Sequence, residues 1–209
     1  PQFDITPFVK IGDNVIAVHF GGGWYTHRCR VFGLPKAIYC ISAETSDGVK
    51  NFCSDTHCRI GKSFVEDYDF TEFETHNYTD FSSCFDTEFD DSGWEYATPT
   101  EPLETEYCYT ECPWDKLIEE LPVEKVVQGE SGVVYDCGEN TTGYPVLEID
   151  APAGETICVY FSEELLPDGK IDREHAQGQI FTIVSDGKKR LVQPEFTWFG
   201  FRCFEVMGN

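Results

Sequence analysis

Two aromatic residues that follow a run of glycines are the best candidates for contacting a ligand. Gly21, Gly22 and Gly23 immediately precede Trp24 and Tyr25. Glycines adopt backbone conformations closed to other residues, so the run predicts a loop that holds both rings at the surface. Such rings can stack on the C–H faces of a sugar. The alternative is that Trp24 packs beneath the rim of a β-domain and contacts no ligand.

Adjacent carboxylates are frequent, but their spacing does not suit hydrolysis. Glu163 is followed by Glu164, and Asp90 by Asp91. Cleavage of a glycosidic bond needs two carboxyl groups that face each other across the sugar, one of them with a raised pKa. Neighbouring residues in a strand point to opposite faces, so adjacency cannot provide this geometry. No nucleophile-elbow sequence is present either, and we predict no catalytic residue.

Oxygen-bearing side chains in turn-like segments raise the question of calcium. Asp13, Asn14, Asp47 and Asn51 are candidates in the first quarter of the chain. Calcium needs about six to eight converging oxygen ligands, whereas acidic and amide residues are also common in turns without a metal. We therefore predict no specific metal ligand and no obligatory cofactor, and leave calcium open for the first half of the chain.

The ten cysteines admit two interpretations. Cys40 and Cys158 lie in apolar, strand-like runs, where cysteine behaves as a small core side chain. The even number permits disulfides, but a chain of 209 residues with 15% aromatic residues does not need cross-links to fold. Cys53, His57 and Cys58 are close in sequence without forming the paired ligands typical of zinc. We favour free thiols in a reducing cytoplasm, with disulfides as the alternative.

Charge and hydropathy exclude two classes of partner. The chain has 38 acidic and 15 basic residues and a net charge of −23, which argues against nucleic-acid binding. No apolar run is long enough to cross a bilayer, and no signal peptide is apparent. The acidic surface is compatible with a neutral sugar or a cation, although solubility alone explains most of the charge. Because the sequence begins with Pro1, we expect a fragment whose natural start is missing.

The first half of the chain predicts strands followed by long connections. Strands are expected at residues 15–20, 36–45 and 49–54, the last two joined by a hairpin turn at Asp47-Gly48. Residues 66–91 are acidic and aromatic and predict irregular connections, with Trp94 holding the last turn. Four prolines and little strand pattern in residues 98–122 predict a linker that contains a single helical turn at 114–120.

The second half alternates short strands with turns and has almost no helical pattern, which is typical of a β-sandwich. We expect strands at residues 132–137, 144–150, 155–164, 179–185 and 194–206. The last strand contains five aromatic residues on both faces, which predicts a strand buried on both sides inside the sandwich. Its Arg202 either contacts a polar ligand or, as we favour, packs its stem and either stacks its guanidinium on an aromatic ring or pairs with an acid in the core.

Four segments of the second half agree in order and spacing with one known family: residues 135–143, 153–156, 163–169 and 194–202. They resemble the concanavalin-like β-domain of glycoside hydrolase family 78, the bacterial α-L-rhamnosidases. Residues 3–7, 12–18, 22–25 and 89–94 resemble the β-sandwich that precedes it. In some members that first sandwich is a carbohydrate-binding module that holds L-rhamnose through calcium, which implies a carbohydrate contact for Trp24 and Tyr25.

The resulting fold prediction is an all-β chain of two antiparallel β-sandwiches with jelly-roll or concanavalin-like topology. Residues 1–97 form the first sandwich, incomplete at its N-terminus, 98–122 the linker and 123–209 the second sandwich. The incomplete start predicts an open edge or an uncovered core face in the first sandwich. In the family an (α/α)6 catalytic barrel follows the second sandwich, and because this sequence ends at Asn209 we expect the catalytic carboxylates to be absent.

The resemblance implies a non-catalytic accessory region of a bacterial, cytoplasmic α-L-rhamnosidase-like glycoside hydrolase. Its expected partners are the catalytic barrel and an L-rhamnose-containing glycan, with self-association also open, and with no nucleic acid and no membrane. The alternative is a purely structural or interaction fragment without sugar affinity.

Overall fold

The computed structural model describes residues 2–26, 32–101, 106, 108, 115–128, 132–173 and 178–208. These residues form thirteen strands and two 3-10 helices, and the chain divides into two compact units. No helix in this part of the chain has the length and apolar character needed to span a membrane.

The two 3-10 helices cover Thr6–Phe8 and Gly23–Tyr25. The strands are β1 (Cys40–Thr45), β2 (Gly48–Cys53), β3 (Arg59–Ile60), β4 (Val65–Asp69), β5 (Phe73–Asn77), β6 (Glu95–Tyr96), β7 (Glu124–Gln128), β8 (Val133–Gly143), β9 (Leu147–Ile149), β10 (Thr156–Ser162), β11 (Ile180–Val184), β12 (Arg190–Val192) and β13 (Phe199–Gly208).

The first unit consists of Pro1–Phe20, Leu34–Lys62 and Ser82–Leu117 and contains two small sheets. β1 and β2 form the predicted antiparallel hairpin, in which Thr45 pairs with Gly48 across the turn. The turn residues are Ser46 and Asp47, one position before the predicted Asp47-Gly48, and Gly48 is the first residue of β2. Its φ of +105° is a conformation that other residues rarely adopt, which explains why the Asp-Gly pair indicated a hairpin here. β3 pairs with β6 in the second small sheet.

Trp94 holds the turn before β6, as predicted. Its ring lies so close to the backbone of Gly61 that a Cβ atom there would be 2.1 Å from it. Phe89 packs on the same ring with 5.3 Å between centroids. The guanidinium of Arg59 donates a hydrogen bond of 3.0 Å to the carbonyl of Trp94. The glycine is therefore required by the aromatic packing.

The first unit exposes apolar side chains that a closed sandwich would bury. Val15, Ile16, Val18 and Phe20 are exposed, and among the described residues every buried core side chain belongs to the other unit. The described part of this unit therefore contains no buried apolar core. The strand predicted at residues 15–20 is wrong, because a strand forms only beside a hydrogen-bonded neighbour, and no described segment pairs with it.

The second unit consists of Gly21–Gly33, Ser63–Phe81 and Ile118–Asn209 and contains the main sheet. The strand order is β4-β5-β11-β10-β13-β8-β7, with a separate two-stranded sheet of β9 and β12. All neighbours are antiparallel except β5 and β11, which are parallel. Ile149 of β9 and Val192 of β12 pack into the same core as Phe161 and Phe181 of the large sheet. The predicted all-β, sandwich-like architecture is confirmed.

Residues 66–91 were predicted as irregular connections, and this is wrong for their first part. β4 and β5 form one edge of the seven-stranded sheet. β5 alternates between buried and half-buried residues, but its fully buried positions are Glu74 and His76. An alternating strand pattern is recognised from apolar residues, so polar residues at the inward positions concealed it. The segment Ser63–Phe81 accordingly belongs to the second compact unit.

The last strand, β13, is central, as predicted, since β10 and β8 lie on either side of it. Phe199, Phe201 and Phe204 belong to one buried cluster, whereas Cys203 belongs to a second cluster. The pairing with β8 shifts between Phe201 and Cys203, and this irregularity moves the inward positions from odd to even residue numbers. The aromatics that were expected on both faces therefore lie largely in one core.

Candidate functional site

The glycine run before Trp24 brings the chain against a tyrosine of the main sheet. The backbone N–H of Gly22 donates a short hydrogen bond to the hydroxyl of Tyr68 in β4. A Cβ atom on Gly21 would lie 2.7 Å from that hydroxyl oxygen and 3.0 Å from the ring of Phe196. The glycines are therefore needed for close approach. Although the sequence placed Trp24 in the first sandwich, its loop belongs to the second unit.

Trp24 is the first member of a row of three aromatic rings. Its ring meets Phe70 edge-on with 4.6 Å between centroids, and Phe70 lies 6.0 Å from Trp198. Phe70 is buried, whereas Trp24 and Trp198 keep 61% and 47% of their surface exposed. The buried ring thus supports two exposed indoles, and its edge-on contact with Trp24 has a geometry that aromatic pairs prefer.

A cleft of about 300 Å³ lies beside this row, lined by Gly23, Thr26, Asp67, Tyr68, Asp69, Phe70 and Phe73. Asp69 is nearly buried, and its Oδ1 accepts hydrogen bonds from the backbone N–H and the hydroxyl of Thr71, at 3.0 and 2.7 Å. Asp67 is exposed, and its Oδ1 accepts the N–H of Tyr68 at 2.9 Å. The cleft therefore combines aromatic faces with carboxylate acceptors.

The two predicted contact residues lie in different surroundings. Trp24 lies next to the cleft through its contact with Phe70. Tyr25 does not line it: its ring lies 5.9 Å from that of Phe32, and its carbonyl accepts the N–H of Phe32 at 3.0 Å. The cleft residues of β4 were missed, because the segment Asp67-Tyr68-Asp69-Phe70 was interpreted as a connection. Its mixture of acids and aromatics was the available signal.

Three of the four calcium candidates, Asn14, Asp47 and Asn51, make local contacts in the first unit. The Oδ1 of Asn14 accepts the backbone N–H of Lys10, and its Nδ2 donates to the carbonyl oxygens of Lys10 and Gly12. The Oδ1 of Asn51 accepts the hydroxyl of Ser42 at 2.7 Å. Asp47 lies 3.7 Å from the ammonium of Lys50. The described residues contain no group of three His, Cys, Asp or Glu that could hold a metal ion.

Each half of the chain matches a known protein-domain family. The α-L-rhamnosidase N-terminal domain matches residues 1–119, and the bacterial α-L-rhamnosidase concanavalin-like domain matches residues 127–209. The chain belongs to the bacterial α-L-rhamnosidases of glycoside hydrolase family 78. It is 27% identical to an α-L-rhamnosidase of Streptomyces avermitilis over 99% of this chain and 21% of that one. An α-L-rhamnosidase of Formosa agariphila is 24% identical over 99% of this chain and 24% of that protein.

Solved structures of rhamnosidases have the same fold. The S. avermitilis α-L-rhamnosidase complexed with L-rhamnose matches with a TM-score of 0.75 and 25% identity, over 88% of this chain and 19% of that one. The α-L-rhamnosidase from Dictyoglumus thermophilum matches with a TM-score of 0.69 and 21% identity, over 80% of this chain and 20% of that one. The chain spans 21% to 24% of the length of the curated rhamnosidases that it matches.

Two segments that carry the rhamnosidase resemblance meet in space. Arg202 binds Asp136 through two hydrogen bonds, Nε to Oδ1 at 2.9 Å and a terminal nitrogen to Oδ2 at 2.8 Å. The pair lies where β13 and β8 change register, and the N–H of Gly138 also donates to Asp136 at 2.8 Å. The prediction that Arg202 pairs with an acid is confirmed. Its hydrogen bond to Asp136 is the main reason that the pKa of Asp136 is lowered.

Replacing Asp136 with Asn is expected to lower the free energy of unfolding at neutral pH by about 1 kcal/mol, because a two-pronged, partly shielded ion pair is lost. The loss should shrink as acid protonates Asp136 in the wild type, since a lowered pKa in the folded state stabilises only above the unfolded pKa. Urea unfolding measures both effects. Replacing Lys189, which pairs with Glu148 at the open surface, with Met is the control, and an equal loss there would refute the assignment.

Proposed function

We propose that the chain is a non-catalytic accessory region of an α-L-rhamnosidase-like glycoside hydrolase that binds L-rhamnose-containing carbohydrate at the cleft beside Trp24. The observation that carries this proposal is the exposed Trp24 ring, supported by buried Phe70 at a cleft lined by two carboxylates. The L-rhamnose complex of the Streptomyces relative supports the choice of sugar. That relative is 25% identical to this chain, and on this basis we propose L-rhamnose as the sugar that this chain binds.

The parts of the cleft suit different parts of a sugar. The indole of Trp24 offers an apolar face for the C–H groups, because a supported ring loses little freedom when a ligand stacks on it. Asp67 is exposed and accepts hydroxyl protons of the sugar, in hydrogen bonds strengthened by its charge. Tyr25 is 45% exposed on the same short helix, and we assign it to the outer part of a longer glycan.

Replacing Trp24 with Ala is expected to weaken L-rhamnose binding at least tenfold, which corresponds to about 1.4 kcal/mol. Titration calorimetry measures the affinity of wild type and variant, with added calcium and with a chelator. Phe85 is exposed in the first unit, so its replacement with Ala is a matched control that should leave binding unchanged. Equal affinities of wild type and the Trp24 variant would exclude the site, and a wild type without binding heat would favour a purely structural role.

A second role, as a scaffold for the family's (α/α)6 barrel, is favoured by an apolar surface. Leu191 of β12 is 73% exposed, and Val146 beside β9 is also exposed. Apolar side chains clustered on one small sheet are typical of surfaces that meet another domain. If the chain is purely structural, it contacts the barrel through this surface and has no affinity for sugar.

Replacing Leu191 with Asp is expected to reduce self-association of the chain without loss of folding, because an exposed apolar contact is replaced by a charge. Sedimentation velocity over a range of protein concentrations measures the association. The variant with Met at 191 keeps the apolar surface and should behave as the wild type. Equal association of the Asp and Met variants would exclude this surface.

We assign no hydrolytic activity to this stretch of chain and place the protein in the bacterial cytoplasm as part of the same proposal. Asp69 is engaged by Thr71, and the other cleft carboxylate, Asp67, lies two positions before it on the same strand, so the two are neighbours and do not flank a sugar from opposite sides. An aryl rhamnoside should therefore stay intact at high protein concentration. Turnover that survives further purification would contradict the assignment.

A further inference from the structure

The β1–β2 hairpin brings two cysteines together that are thirteen positions apart in sequence. Cys40 is the first residue of β1 and Cys53 the last of β2, and they are direct partners in the antiparallel register. Their Sγ atoms lie 2.6 Å apart, near the covalent S–S distance of about 2.05 Å. Directly opposite residues of antiparallel strands have Cβ atoms about 4.5–5.5 Å apart, within reach of a disulfide after small adjustments.

We propose that Cys40 and Cys53 are a reversible redox site that closes the β1–β2 hairpin with an intramolecular disulfide when it meets a small disulfide oxidant such as oxidised glutathione. Both residues are exposed, so the oxidant can reach either sulfur. The site is separate from the proposed carbohydrate cleft, which belongs to the other compact unit.

The exchange balances in two steps. One cysteine loses its proton to solvent, and its thiolate attacks a sulfur of oxidised glutathione, forming a mixed disulfide and releasing one glutathione thiolate. The second cysteine, deprotonated in turn, attacks the protein sulfur of the mixed disulfide and releases the second glutathione. Two protein thiols are oxidised, one glutathione disulfide is reduced to two thiols, and the two protons end on the released glutathione.

Three of the other described cysteines are more covered than this pair. Cys203 is buried, and burial raises its pKa to about 11. Cys137 is half-buried, and burial raises its pKa as well. Cys58 is half-buried with its sulfur 3.2 Å from the hydroxyl of Tyr39. The hydrogen bond with Cys40 raises the pKa of Cys53 as well, so the advantage of the pair is its exposure together with the closeness of its two sulfurs.

The bond has a clear structural consequence for the hairpin. All six residues of β2 are exposed, and β1 and β2 form a two-stranded sheet by themselves. An isolated two-stranded ribbon is marginally stable, so it opens readily. A disulfide at its open end holds both strands together opposite the turn, and therefore suppresses opening of the hairpin.

The test is peptide mapping of the folded chain. The protein is incubated with oxidised or with reduced glutathione, its free thiols are blocked under native conditions, and it is digested with trypsin. We expect the oxidised sample to contain a disulfide between the peptide ending at Lys50 and the peptide beginning at Asn51, and fragmentation should place it at Cys40 and Cys53 rather than Cys58. Initial cleavage after Lys50 should be about tenfold slower than in the reduced sample.

Two single variants complete the test. Replacing Cys40 with Ser should abolish the linked peptide and the protection after Lys50, whereas replacing Cys58 with Ser should leave both unchanged. Recovery of Cys40 and Cys53 as blocked thiols, while another pair of cysteines becomes oxidised, would overturn the proposal. A bond from Cys53 to Cys58, or protection that persists in the Cys40 variant, would overturn it as well. None of these results depends on sugar binding.

Discussion

Replacing Glu74 with Ala should lower the free energy of unfolding by about 3–5 kcal/mol, since it removes a buried carboxylate and leaves two backbone N–H groups and a buried histidine without their acceptor. The Glu74 side chain is fully buried in β5. It accepts hydrogen bonds from the backbone N–H groups of Glu195 and Phe196, at 2.7 and 2.9 Å, and contacts Nε2 of His76 at 2.5 Å. This one carboxylate therefore joins β5 to the segment that precedes β13.

The network continues beyond the carboxylate. Nδ1 of His76 lies 3.1 Å from the hydroxyl of Tyr78, and both residues are buried. The ring of His76 also meets Phe181 edge-on at 4.8 Å. Because the side chains of Glu74 and His76 are fully buried, solvent does not readily replace the lost acceptor, and its removal costs more than one ordinary hydrogen bond.

Urea unfolding of the wild type and of three variants measures how much the Glu74 carboxylate contributes to stability. The Glu74 to Gln variant keeps the shape but has a single acceptor oxygen, so its loss should be intermediate. Replacing exposed Glu195 with Gln removes a charge but leaves its backbone N–H in place, and should change stability little. A Glu74 to Ala variant as stable as the Glu195 control would show that the network contributes nothing.

The same carboxylate predicts a pH dependence. Burial by itself raises the pKa of Glu74, but the hydrogen bonds from His76 and from the backbone of Glu195 and Phe196 outweigh it, so the pKa lies below its usual 4.5. A lowered folded-state pKa stabilises the protein above the unfolded pKa, and the contribution disappears as pH falls through the folded value. The wild type should therefore lose its advantage over the Ala variant below about pH 4.5.

Replacing Phe161 with Ala should also lower the free energy of unfolding by about 3–5 kcal/mol, through the cavity that it leaves. The ring is fully buried in β10 and stacks on Phe199 with 4.0 Å between centroids. Phe201 and Phe204 lie 5.1 and 6.4 Å away in the same cluster. Tightly packed neighbours on a sheet cannot collapse fully into the space, so most of the lost contact is not recovered.

Thermal and urea unfolding check this expectation. Phe161 to Leu keeps most of the volume and should cost clearly less than Ala. Phe85 is a matched control, because it is the same residue type at an exposed position, and its replacement with Ala should change stability by less than about 0.5 kcal/mol. Equal losses at residues 161 and 85 would contradict the core assignment.

Local sequence signals determined several elements. The Asp-Gly pair with alternating residues on each side specified the β1–β2 hairpin, because its turn requires a conformation that glycine adopts freely. Apolar alternation specified the core strands β10 and β11, whose inward positions are Ile157, Val159, Phe181 and Ile183. In both cases the signal lies within a few neighbouring residues. The alternation of short strands and turns indicated the all-β class, and the family motifs identified the family.

Other features were decided by the tertiary structure alone. β5 pairs in parallel with β11 across about a hundred residues of chain, and no local pattern encodes such a partner. Its buried positions are polar, and they are stable there only because Glu195 and Phe196 supply donors from a distant segment. The same long-range pairing places Phe70 under Trp24. The sequence identified Trp24 as a candidate, whereas its cleft exists only once β4 and β5 have joined the sheet, because residues far apart in the chain must meet to line it.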